Sequence, residues 1–230
     1  MKKVFPILGV VTAVLLIYAL YQALAVAPTE RTMGDVQRIF YYHVPSAWTA
    51  FLLFFINFGA SVCFLIKRNQ TADIVALVCA EVGVVFCTVV LITGPIWARP
   101  VWGIWWTWDM RLTSTLVLWL IYVSYLMLRR FSSSGETPLL AAALAVLGAL
   151  CVPFVYFSIW FFRTQHPQPV MGGGGSIDPR MLHALLINWL AFSCFAFLVC
   201  WSRYRLEKLQ REVDEAHALR SLHDPGGRVR

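Results

Sequence analysis

Charged side chains are scarce in this chain: Asp, Glu, Lys and Arg together make up 13% of 230 residues. A soluble domain carries about 25%, so a water-soluble globule of this length is excluded. Acid is scarcer than base, 12 Asp and Glu against 19 Lys and Arg, for a net charge of +7. That excess does not imply a nucleic-acid partner, because the basic residues stand at the ends of apolar runs, where they orient helices in a bilayer. Neither a C-x-x-C nor a C-x-x-C-H pattern occurs. The six cysteines (Cys63, Cys79, Cys87, Cys151, Cys194, Cys200) all lie inside apolar runs. This excludes a thiol oxidoreductase and a c-type cytochrome, and leaves the thiols as small buried hydrophobes. A G-x-x-x-x-G-K-[ST] phosphate loop is also lacking, so the chain carries no ATPase site of that kind.

What is abundant is apolar length. Hydrophobic residues make up 59% of the chain, and its mean hydropathy is +0.67. A run of about 20 apolar residues crosses the hydrocarbon core, and six such runs occur, at 5–26, 47–66, 73–97, 112–128, 138–161 and 180–202. The first imitates a signal peptide, but its apolar stretch exceeds the roughly 7–15 residues of one, so it reads as an uncleaved span. The expected fold is all-α: a polytopic membrane protein of six transmembrane helices.

Orientation follows from the basic residues. Six arginines (31, 38, 99, 111, 163 and 180) fall on one side; the other holds Lys2-Lys3, Lys67-Arg68, Arg129-Arg130 and seven in the tail. The doublets flush with helix ends and the basic tail place both termini in the cytoplasm. Three loops then face outward, 27–46, 98–111 and 162–179. The inner connections are minimal turns, so function is expected on the outer face. Residues 1–202 form the membrane domain, and 203–230 a cytoplasmic tail. In the tail, Leu206, Leu209, Val213, Ala216 and Leu219 recur at helical spacing among mixed charges. That amphipathic helix suits either the lipid of the inner leaflet or a cytoplasmic partner.

Five of the ten tryptophans (Trp97, Trp102, Trp105, Trp106, Trp108) fall within twelve residues of the second outer loop. An interfacial aromatic belt is the plain alternative, but a belt spreads single aromatics over all helix ends. A concentrated shelf suits a large planar ligand. His43 stands in Tyr41-Tyr42-His43-Val44-Pro45-Ser46 and His166 in Arg163-Thr164-Gln165-His166-Pro167, on the loops flanking the tryptophans. Haem iron takes imidazole from opposite faces, which this placement would allow. Arg99 and Arg111 supply positive charge suited to carboxylates such as haem propionates, with a local Arg111–Asp109 pair equally open. His183, behind the helix start Asp178-Pro179, is a rival ligand or a packed structural histidine.

The run Trp102-Gly103-Ile104-Trp105-Trp106-Thr107-Trp108-Asp109 resembles the tryptophan-rich signature of haem-handling proteins. Haem exporter protein C, its larger haem lyase relative and the system II synthases share that signature. The continuation here, Asp109-Met110-Arg111-Leu112-Thr113-Ser114, is similar to the W-D-x-R-L-T-S pattern of the haem exporter protein C family. Tyr42-His43-Val44-Pro45 and Arg163-Thr164-x-His166-Pro167 resemble that family's two histidine motifs. Phe161-Phe162 stands where the family usually has Trp, Gln165 replaces a common Leu, and Gly172 to Gly175 lengthen the third loop, so His43 is the closer match.

The resemblance implies a protein, not an enzyme, that holds haem b transiently at the periplasmic face. It would pass haem to the periplasmic chaperone, protein E, within an ABC-type complex with proteins A, B and D, where A is the ATPase. On that basis His43 and His166 are the expected iron ligands, and Trp102, Trp105, Trp106 and Trp108 the platform. Asp109 would fix the loop, and Arg99 and Arg111 would bind propionates. Two other classes compete. A b-type electron-transfer protein calls for histidines paired between membrane helices, and only His183 comes close. A small-solute permease calls for ionisable groups near the midplane, for which Glu81 and Asp73 are the candidates.

Overall fold

The computed structural model describes residues 4–132, 135–162, 164–166 and 177–223. Of the residues singled out above, Lys2, Lys3, Arg163, Pro167 and Gly172 to Gly175 lie outside that set. Among the described residues the regular structure is helical, apart from one bridge between Glu30 and Gly34. The six long helices are α1 (Val4–Tyr21), α2 (Phe40–Lys67), α3 (Gln70–Trp102), α4 (Met110–Phe131), α5 (Thr137–Phe161) and α6 (Pro179–His223). Each is long and apolar enough to cross a membrane. The chain is therefore an all-α, multi-pass membrane protein with six spans, as its apolar runs predict.

The α2–α3 connection is a tight turn, capped locally. Between α2 and α3, Arg68 takes a left-handed conformation (φ 53°). The Asn69 side chain then accepts the N–H groups of Thr71 (2.8 Å) and Ala72 (3.2 Å), satisfying the first turn of α3. At the other end of the bundle, α1 widens into a π-helical turn, Gln22–Val26. The carbonyls of Ala23 and Ala27 accept the Arg38 guanidinium at 2.7 and 3.2 Å. A 3-10 turn, Asp35–Ile39, leads into α2.

In lipid, helices associate through close packing and interhelical hydrogen bonds rather than a hydrophobic force. Both occur here. Phe54 of α2 stacks on Tyr122 of α4 with ring centroids 3.8 Å apart, and a glycine admits each ring. A Cβ at Gly83 would come within 2.7 Å of Phe54, and one at Gly148 within 3.2 Å of Tyr122. Asn57 donates to the Ala76 carbonyl at 2.7 Å and accepts the Tyr122 hydroxyl at 3.3 Å. Asn188 of α6 ties in the peripheral α1 through the Ala19 carbonyl at 3.1 Å.

Three boundaries differ from the sequence reading. The expected first loop, 27–46, ends at residue 39, so His43 stands on the first turns of α2. α3 continues through Pro95 and Pro100 to Trp102. α6 does not stop near residue 202 but runs unbroken to His223, 45 residues in all. At 1.5 Å per residue it is roughly 67 Å long, about twice a bilayer core. Where it leaves the bundle it is pinned by ion pairs: Arg203 to Glu81 at 2.8 Å, and Arg211 to Asp73 at 2.8 Å. Asp73 also accepts from both terminal guanidinium nitrogens of Arg129. The two carboxylates that a permease reading would need are thus neutralised by arginine.

Candidate functional site

At the tryptophan-loop end of the bundle the helices leave a cleft of about 210 Å³. Its walls include His43 from α2, Trp97 and Trp102 from α3, Trp106 from the loop that follows, and Arg111 from α4. His166, from the segment after α5, closes the set. Both histidines named from sequence therefore face one cavity, with three tryptophans and one arginine.

The loop that shapes the cleft begins with a glycine stop. Gly103 adopts φ 79° and its N–H returns to the Arg99 carbonyl at 3.0 Å, a left-handed helix end that a side chain would strain. The Arg99 guanidinium folds back onto the Gly103 carbonyl; it is exposed and does not line the cleft. Arg111 does line it. Its guanidinium makes one long hydrogen bond, 3.4 Å to the Tyr156 carbonyl, and no ion pair with Asp109 forms among the described residues.

Asp109 is occupied otherwise. It caps α4 by accepting the Leu112 N–H at 3.0 Å, which suits a carboxylate at a helix N-terminus. It also accepts the hydroxyls of Thr107 (3.1 Å) and Thr164 (2.9 Å). Thr164 in turn accepts the backbone N–H of His166 at 3.1 Å. One carboxylate thereby joins the tryptophan loop, the start of α4 and the His166 segment.

The four platform tryptophans divide. Trp102 and Trp106 line the cleft, while Trp105 and Trp108 do not and are 59% and 76% exposed. Trp106 and Trp108 meet edge to face with centroids 5.8 Å apart. Sequence reasoning counted Trp97 in the cluster but gave it no role. It packs edge-on against His43 (centroids 5.9 Å) and against Phe40 (6.2 Å). Met33 was missed altogether. It reaches the cleft because the preceding turn is knotted on Glu30, whose carboxylate accepts the N–H of Thr32 at 2.7 Å and of Met33 at 2.6 Å. Those bonds hold the Glu30 carboxyl below its ordinary range, the Thr32 hydroxyl contributing most. The rival His183 is exposed on α6, 3.4 Å from the Tyr18 hydroxyl, and does not line the cleft.

The chemistry of this donor set is specific. No group of three or more His, Cys, Asp or Glu that could hold a bare metal ion occurs among the described residues. Two imidazoles on one apolar cleft instead match the axial needs of a metal already held by a macrocycle. The indole N–H groups of Trp97 and Trp106 are buried and have no acceptor among the described residues. A buried donor left unpaired is costly. These donors, with the Arg111 guanidinium, suit a planar ligand bearing acceptor groups.

Fold and cleft together define a multi-pass membrane protein with a candidate ligand site at one end of the bundle. The family follows from comparison. A family model described as Heme exporter protein C matches residues 1–219, and the chain belongs to that family. It is 36% identical over 92% of its length to Heme exporter protein C of Bradyrhizobium diazoefficiens, covering 81% of that protein. Identity to Heme exporter protein C of Escherichia coli is 31% over 90% of the chain and 83% of the relative. A putative cytochrome c biosynthesis ccmC-like mitochondrial protein of Marchantia polymorpha is 34% identical over 78% of the chain and 76% of its own length.

Proposed function

We propose that this chain holds haem in the cleft at the tryptophan-loop end and releases it to a carrier during c-type cytochrome assembly. The observation that carries this is the convergence of His43, His166 and Arg111, from three distant stretches of sequence, on one tryptophan-walled cavity. His43 and His166 serve as the axial ligands, Trp97, Trp102 and Trp106 enclose the macrocycle, and Arg111 meets a propionate. Haem is cargo here, and the protein's work is to bind, orient and shield it, not to turn over a substrate.

The basic doublets at the opposite helix ends support an arrangement with both termini in the cytoplasm and the cleft at the periplasmic face of the inner membrane. The receiving partner is then a periplasmic haem chaperone, protein E. The lack of a phosphate loop assigns any ATP hydrolysis to a partner of the same complex, with proteins A, B and D. The names of the relatives, exporter and cytochrome c biosynthesis, agree with this reading.

The test is the absorption spectrum of the purified protein and of a His43→Ala, His166→Ala double variant. A Soret band in the parent that is lost or shifted in the double variant is expected. An identical Soret band in both proteins would overturn the ligand assignment.

A further inference from the structure

We infer that Thr93 is a positioning residue that sets the tautomer of His43 and reserves one ring nitrogen, Nε2, for the ligand in the cleft. The inference rests on the haem-binding reading above for its consequence, but its structural core does not need haem.

The Thr93 hydroxyl lies 2.7 Å from the Val89 carbonyl oxygen and 2.8 Å from Nδ1 of His43. A hydroxyl has one proton to give. If that proton went to Nδ1, two oxygens with only lone pairs between them would sit 2.7 Å apart within the helix. The favourable arrangement has Thr93 donating back to Val89, one turn earlier on α3, and accepting from Nδ1–H of His43. The neutral imidazole then carries its proton on Nδ1, and Nε2 keeps its lone pair. Metal-ligating histidines characteristically donate their other ring N–H in this way, which fixes ring orientation and raises ligand basicity.

Neighbouring residues of the same turn reinforce the hold. A Cβ added at Gly94 would lie 3.4 Å from Cε1 of His43, so the ring rests close against α3 where no side chain intervenes. Trp97, four residues beyond Thr93, covers it edge-on with centroids 5.9 Å apart and an interplanar angle of 72°. His43 is only 8% exposed. Its ring is thus fixed by one stretch of α3, Thr93 to Trp97, while His166 is fixed from the tryptophan loop.

Thr93→Val keeps the shape and removes the hydroxyl; Thr93→Ser restores a hydroxyl. The first measurement is the nitrogen chemical shifts of His43 in histidine-labelled, haem-free protein reconstituted in lipid, assigned by difference from His43→Gln. Parent and Thr93→Ser are expected to show protonated Nδ1 and unprotonated Nε2, with Thr93→Val shifted towards the other tautomer. A parent His43 protonated on Nε2 overturns the inference, even if Thr93→Val cannot be purified. The second is the haem retained through equal washing and its midpoint potential. Losing such a support weakens metal binding by about 10–100-fold, so retention is expected to fall about tenfold and the potential to rise in Thr93→Val, with recovery in Thr93→Ser. Equal retention and potential in parent and Thr93→Val overturn the role of the tautomer. A parent that binds no haem through His43 sinks the proposed function, and the chemical shifts still decide the inference.

Discussion

The hydroxyl of Thr164 donates to the Asp109 carboxylate at 2.9 Å while accepting the N–H of His166 at 3.1 Å. Residues 55 positions apart in sequence are joined by that one bond. It gives Asp109 a second task besides capping α4, since the relay ties the His166 segment to the tryptophan loop.

Removing the relay is therefore expected to affect one axial position and spare the other. Thr164→Val keeps the side-chain shape but neither donates nor accepts. Its haem complex is expected to lose low-spin, two-histidine character and gain a high-spin component, because His43 is supported separately by Thr93. Asp109→Ala removes the relay and the cap together, and losing an N-cap costs about 1 kcal/mol, so it is expected to lower thermal stability as well. Low-spin spectra unchanged in both variants would show that the relay does not position His166.

The tryptophans are expected to separate by their place in the fold. Trp97 and Trp106 line the cleft and bury indole N–H groups that lack an acceptor among the described residues. Trp97→Ala and Trp106→Ala should each lower haem retained after detergent washing. Trp105 and Trp108, 59% and 76% exposed, should leave retention unchanged when replaced by Ala and instead slow transfer to protein E. Equal loss of retention in Trp108→Ala and Trp106→Ala would refute this division.

Much of this was legible in the sequence, for physical reasons that differ by element. The six spans were legible because a bilayer demands apolar runs of a fixed minimum length. His43 read as a loop residue because the apolar run of the second span begins only at residue 47. α2 nevertheless begins at Phe40 and carries Pro45 inside it, where the proline forfeits one backbone bond. The unbroken α6 was legible in hindsight, since no Gly or Pro occurs between Pro179 and Pro225. The division among the tryptophans was not legible. Whether Trp97 or Trp105 faces the cleft depends on the rotation of α3 about its axis and on the turn at Gly103, neither of which residue type encodes. The same holds for Thr93, an ordinary threonine in an apolar run until α2 brings His43 against it.

Arg111 and Arg99 were equivalent as sequence and are expected to differ as variants. Arg111 lines the cleft without an ion pair among the described residues, whereas Arg99 is turned onto the Gly103 carbonyl. A hydrogen bond to a charged group contributes about 1.5–3 kcal/mol. Arg111→Gln is therefore expected to weaken haem binding roughly ten- to a hundredfold, and Arg99→Gln to change it little. Haem dimethyl ester, whose propionates carry no charge, supplies the control. The parent should prefer free-acid haem, and Arg111→Gln should lose that preference. A preference that persists in Arg111→Gln assigns the propionates to another group.

At the far end of the bundle Asp73, 2% exposed, is shared by Arg129 of α4 and Arg211 of α6. Breaking a buried ion pair by removing one partner costs about 3–5 kcal/mol, because the remaining charge is left uncompensated. Asp73→Asn leaves two cations facing an amide and is expected to lower the thermal unfolding midpoint most. Arg129→Ala removes two hydrogen bonds to Asp73, at 2.5 and 2.8 Å, and is expected to come next. Arg211→Ala, whose side chain is 29% exposed, leaves Asp73 satisfied by Arg129 and should have the smallest effect. Along α3, residue 73 and the cleft-lining residue 97 are roughly 36 Å apart at 1.5 Å per residue. Below its unfolding transition each variant should therefore keep the parent's haem spectrum. A shifted Soret band in folded Asp73→Asn would mean that the two ends of the bundle are coupled, and that the arginine cluster does more than anchor α6.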